Sequence, residues 1–178
     1  MSSLTKAMLW MSLSLSLSLS LLASGEALAA RGPDPGLYRD DDPAASYLRI
    51  PPGSRQAFRK GINAAIQKNP RNSVALSHRA HLFLEGGDVE RAKRDFDAAL
   101  ANAEPGSEYA RNTRWSRGWA NYDMGDVDAA LADWEQAVEW HGGHPHWATY
   151  TLALAYWTLG DADTALAWYD AAVAAMPV

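Results

Sequence analysis

Three histidines packed into six residues, His141, His144 and His146, are the side chains whose type and spacing come nearest to chemistry. Imidazoles in a short glycine-containing loop can reach one transition-metal ion. The spacing matches no standard site and brings no fourth ligand, so no metal is expected and the loop reads as a polar linker in which Pro145 starts the next helix. His78 and His81, three apart on one helix, are a weaker pair. Arg111, Arg114 and Arg117 form a three-spaced ridge that could bind a carboxylate, but a solvated or salt-bridged face is the preferred reading. Arg39-Asp-Asp-Asp42 reads as a solvated charge run. The sequence holds no phosphate-cradling glycine loop, no nucleophile elbow and no His-Glu-x-x-His pair. Catalytic residues and cofactors are therefore not expected, and the chain does not read as an enzyme.

Aromatic rings offer more. Trp115, Trp119 and Tyr122 are spaced by four and three, and Trp147, Tyr150, Leu154 and Trp157 by three, four and three, so each set shares one helical face. Rings on an open face receive apolar or proline-rich peptide segments or stack on sugars, each buried ring contributing on the order of 1–3 kcal/mol. Asp123 and Glu85 would add acidic edges. The same spacing also fits rings packed against neighbouring helices, and the residues leave both readings open.

The elements that must carry these rings repeat. A Gly-Asp pair occurs at Gly87-Asp88, Gly125-Asp126 and Gly160-Asp161, 38 and 35 residues apart, the period of a helical hairpin. Glycine ends one helix in the left-handed conformation, and the aspartate caps the next. Small residues stand seven before each glycine (Ala80, Gly118, Ala153) and five after it (Ala92, Ala130, Ala165), where two antiparallel helices approach closely. Nine after each glycine comes an aromatic (Phe96, Trp134, Tyr169) and three further on an alanine (Ala99, Ala137, Ala172), a packing stripe.

This pattern resembles the tetratricopeptide repeat from about Asn72 to Pro177, departing from it at Asn121, at Glu104-Pro105-Gly106 and in the histidine loop. The resemblance implies an all-α solenoid of three helix-turn-helix hairpins. It also implies that the ring-bearing face lines a concave ligand groove, with His81 the matching place in the first hairpin beside Val74, Ser77, Leu84 and Glu85. Family members that bind carboxylate-terminated tails use lysine and asparagine there; the aromatics disfavour that ligand here.

The flanks complete the plan. Residues 1–29 read as an export signal, with Lys6, an apolar run from Ala7 to Leu22 and Ala27-Leu28-Ala29 before the cut. Residues 30–53 read as an extended leader, in which Tyr47, Leu48 and Ile50 pack on the first face or Leu37, Tyr38, Tyr47 and Leu48 fold back into the groove. Residues 54–69 form an N-terminal cap helix, followed by repeats over 72–105, 107–142 and 145–178. Zero cysteines exclude disulfides, and a net charge of −5 disfavours nucleic acid. Trp168 stands where the other repeats carry Asp95 and Asp133, so it marks either a self-association surface or a staple on its own hairpin. The whole reads as a periplasmic or secreted adaptor, with no stable membrane insertion after signal cleavage, that binds a cell-envelope protein or peptide through the aromatic face. Cell-wall glycan binding by the same face and homo-oligomerisation through the C-terminal helix are the other readings.

Overall fold

A computed structural model of the chain describes residues 31–39 and 54–176. The signal-like stretch and Tyr47, Leu48 and Ile50 lie outside the described residues. Among the described residues the fold is all α: α1 (Arg55–Lys68), α2 (Ser73–Glu85), α3 (Val89–Asn102), α4 (Glu108–Asp123), α5 (Val127–His141), α6 (Thr149–Leu159) and α7 (Ala162–Ala174), with a short 3-10 turn at His146–Ala148. Helices α2 and α3, α4 and α5, and α6 and α7 form antiparallel hairpins, stacked through α3 on α4 and α5 on α6, and α1 packs on α2.

Local chemistry makes each hairpin. Gly87, Gly125 and Gly160 take φ of 77°, 81° and 85°, the left-handed region a side chain disfavours. The following N–H groups of Asp88, Asp126 and Asp161 donate back to Phe83, Asn121 and Tyr156 carbonyls at 2.9 Å, closing the first helix in each unit. The aspartate side chains then accept from Arg91, Ala129 and Thr164 N–H groups at the start of the second helix. Three turns of one geometry set three hairpins of one shape. Pro145 is the exception to its expected role: it precedes the 3-10 turn, and α6 begins only at Thr149, whose hydroxyl donates to the His146 carbonyl at 2.8 Å.

Inside the hairpins the alanines at closest approach are buried, and Phe96 and Trp134 are fully enclosed. Eight residues on either side of each glycine stand a further pair. Arg79 donates to both Asp95 oxygens at 2.5 and 2.7 Å, and Arg117 to both Asp133 oxygens at 2.7 and 2.5 Å. In the third unit the same places hold Leu152 and Trp168, both buried in one apolar cluster. An ion pair has been exchanged for an apolar pair.

That exchange decides where Trp168 goes. It is 5 % exposed, covered by Tyr38 of the leader, whose ring meets it edge-on at a centroid distance of 5.6 Å. Trp168 is thus internal packing rather than an open surface. Tyr38 is itself buried, its hydroxyl accepts from the Asp34 N–H at 3.0 Å, and its ring lies 5.0 Å from that of His144. The neighbouring Arg39 donates its N–H to the His144 carbonyl at 2.8 Å and accepts from the His146 N–H at 3.3 Å. The leader does fold back, but Tyr38 meets the histidine loop and α7, not the Trp115–Trp119 rings.

Candidate functional site

The ring-bearing face runs along α4 into the 3-10 turn and α6. In the second hairpin its rings are half-buried around Trp134: Trp119 stands 4.9 Å from that ring, Tyr122 5.9 Å and Trp115 6.0 Å. The Trp134 indole N–H donates to the Trp115 carbonyl at 3.0 Å, which fixes the tilt of the group. Trp115 then meets Trp147 edge-on at 4.5 Å, carrying the cluster into the third unit. The Tyr122 hydroxyl lies 3.0 Å from the Thr158 hydroxyl and ties α4 to α6. These four rings are packing and surface at once, each with one face committed to the stack.

The face opens in the third hairpin. Tyr150, Leu154 and Trp157 are 43 %, 37 % and 68 % exposed. With Ala153, Ala165, Leu166 and Tyr169 they line an apolar groove of about 350 Å³ between α6 and α7. Leu166 and Tyr169 are the members that sequence reasoning missed. Tyr169 belongs by spacing to the packing stripe, yet it is 51 % exposed where Phe96 and Trp134 are 0 %. The spacing names the side of the helix, and only a neighbouring unit decides whether that side is covered.

His81 sits between hairpins instead of on an open surface. Its ring is edge-on to Phe96 at 5.3 Å, and Nε2 is 3.1 Å from the Ser116 hydroxyl on α4. Beside it the Thr113 hydroxyl donates to the Ser77 hydroxyl at 3.0 Å within the same junction. Burial first, and then the nearby His78, lower the His81 pKa from the ordinary 6.5, while Glu85 opposes them. Glu85 itself pairs with Arg55 of α1, joining the cap helix to the first hairpin.

Two of the ridge arginines point inward. Arg114 donates to the Asp133 carboxylate at 2.9 Å alongside the two bonds from Arg117, and Asn121 adds a fourth hydrogen bond, from a third partner, at 3.1 Å. Asn121, a departure from the expected aromatic, is therefore matched to a buried carboxylate. Burial works against the Arg117 charge, but its bonds to Asp133 and Asp97 outweigh it and raise its pKa. The arginines serve this internal network, with Arg114 also stacked over Trp140 at 4.9 Å.

The histidine loop does not converge on a metal position. His141 Nδ1 lies 2.7 Å from the Gly142 carbonyl, His146 Nε2 3.3 Å from the Ala172 carbonyl, and His144 packs on Tyr38. Among the described residues no group of three metal-binding side chains comes together. Nor is any described helix long and apolar enough to cross a membrane.

The sequence pattern of the tetratricopeptide repeat matches residues 78–140 and again 116–177. The chain belongs to the tetratricopeptide repeat family. Among solved structures it is similar to two crystal structures of MamA, one with 18 % identity, a TM-score of 0.59 and 68 % of each chain covered. The other has 16 % identity, a TM-score of 0.57 and 66 % of this chain covered against 62 % of that one. At these identities the likeness is one of fold. No curated protein matches the sequence. A tetratricopeptide repeat chain is typically a non-enzymatic scaffold that binds protein partners, and nothing in the described site assembles an acid, base or nucleophile on one substrate position.

Proposed function

We propose that this tetratricopeptide repeat chain is an interaction scaffold that takes an extended apolar segment of a protein partner along the first-helix face, and that it works outside the cytoplasm. The observation that carries the reading is the run of Tyr150, Leu154 and Trp157, exposed on one face and continuous with the half-buried Trp115, Trp119 and Tyr122. Rings held by packing on one side present a rigid apolar surface on the other, so little rotamer freedom is lost when a segment binds. Export rests on the amino-terminal pattern of residues 1–29 alone.

The test is a tryptophan-fluorescence titration with purified cell-envelope proteins and, separately, with peptidoglycan fragments. A saturable shift with protein, lost in Trp157→Ala, is expected; Trp157 is open enough for its removal to leave the fold intact. A shift with glycan alone would replace the peptide reading by carbohydrate stacking, and no response to either would end both. Fractionation of the producing cell checks export: the chain retained in the cytoplasm at full length would remove that part.

A further inference from the structure

The exposed groove between α6 and α7 occupies the same place in its hairpin as two seats that are filled. Phe96 of the first hairpin shares a buried cluster with Ala120 of α4, and Trp134 of the second shares one with Ala148 and Ala155 of the third. In each following unit two small residues seven apart are buried, Thr113 and Ala120 in one case and Ala148 and Ala155 in the other, with Ala120 in the Phe96 cluster and both Ala148 and Ala155 in that of Trp134. Tyr169, the third ring of the series, is 51 % exposed, and Leu166 beside it 59 %. The groove is thus shaped for a helix with two small residues seven apart.

The chain presents such a helix at its other end. Helix α1 turns Phe58, Ile62, Ala65 and Ile66 toward α2, while Ala57, Gly61 and Ala64 are exposed on its outer side. A Cβ added to Gly61 would meet nothing within 4 Å. Ala57 and Ala64 are seven apart, the spacing of the residues that fill the internal seats. Charge agrees with shape. Helix α1 carries Arg55, Arg59, Lys60 and Lys68 and no acid, whereas α6 and α7 with their connecting turn carry Asp161, Asp163 and Asp170 and no Lys or Arg.

We infer that the chain assembles head to tail, with α1 of one copy seated in the α6–α7 groove of the next. The two surfaces differ, so each added copy brings a fresh groove and a fresh α1, and the contact generates a chain or ring instead of a closed twofold pair. Aromatic rings against Gly61 and its flanking alanines supply the burial. Opposite charges set the polarity of the contact and make it sensitive to salt.

The experiment is sedimentation velocity on the full chain across protein concentration and salt, with Gly61→Glu and Tyr169→Asp as variants and helical content followed by circular dichroism. Gly61 faces open space and Tyr169 is half-exposed, so both variants should retain the fold; Leu166→Glu stands in if either does not. The wild type should grow beyond a dimer with concentration and shrink as salt is raised, and each variant alone should sediment as a single copy. An equimolar mixture should give a one-to-one dimer that grows no further, since only one intact α1 and one intact groove can meet. A wild type that stays a single copy at the highest concentration overturns the inference. So does growth that survives both substitutions, or a mixture in which folded variants fail to pair. Trp157 also lines this groove, so the two ideas are separated at the other surface: Gly61→Glu should abolish assembly while leaving the Trp157 face free for peptide capture, and either idea can then fail without the other.

Discussion

The indole of Trp134 occupies the space that a side chain on Gly118 would need: a Cβ built there would stand 2.6 Å from Cδ1 and 2.8 Å from Cε2. The other two hairpins place alanine opposite smaller rings, Ala80 with Phe96 and Ala153 with Tyr169. Ring size and residue size are matched across the hairpin.

Gly118→Ala should therefore destabilise the chain, although alanine is the better helix former by about 1 kcal/mol. Forcing Trp134 out of its seat is overpacking, which costs about 1–3 kcal/mol and also strains the bond to the Trp115 carbonyl. Urea denaturation should show a lower midpoint for Gly118→Ala. Adding Trp134→Phe should recover part of the loss, and an alanine variant as stable as the wild type would mean the indole has room to move.

Asp133→Ala should cost about 3–5 kcal/mol, because it leaves two arginines facing a half-buried site without their carboxylate. The third hairpin shows the alternative. Replacing Arg79 and Asp95 together by leucine copies the apolar solution of Leu152 and Trp168 and should be within about 1 kcal/mol of neutral. Asp95→Leu alone should be clearly worse than the double variant. A double-variant loss equal to the sum of the Arg79→Leu and Asp95→Leu losses would show that the pair contributes no coupling.

Acid should weaken the junction between the first two hairpins. His81 and His78 take up a proton less readily when folded than the ordinary value of 6.5, burial being the largest cause for both. Unfolded chains bind those protons first, so stability is fully present above 6.5 and is lost as pH falls from there toward the lowered folded values. Denaturation midpoints measured from pH 7.5 to 5 should fall for the wild type and fall less steeply for His81→Gln. Parallel slopes would exclude His81 as a contributor.

The hairpins were legible in the sequence because their determinants are local. Gly125-Asp126 lies within one turn of everything it satisfies, and the same holds for Gly87-Asp88 and Gly160-Asp161. The ring stripe was legible as a face but not as a surface, since the cover over Trp134 comes from Ala148 and Ala155 in the next unit. Burial of Trp168 is signalled in the sequence by a paired change. The residue eight before each glycine changes from Arg79 and Arg117 to Leu152 in step with the change from Asp95 and Asp133 to Trp168. Its remaining cover, Tyr38, comes from a proline-rich leader with no helical period to assign it a place.

The contact between Tyr38 and Trp168 changes how the stack is expected to come apart. In a solenoid each unit touches only its neighbours, so folding can begin anywhere and spread, and an end can fray alone. Here a tyrosine from the leader seals the last hairpin, closing a loop that encloses α1 to α6. Such long-range closure is entropically costly, and contacts of high sequence separation slow folding. The third hairpin is synthesised after the leader, α1 and two other hairpins, yet its core is completed by that leader. Its fraying is coupled to release of the leader, so opening at this end becomes a concerted event instead of a gradual peeling.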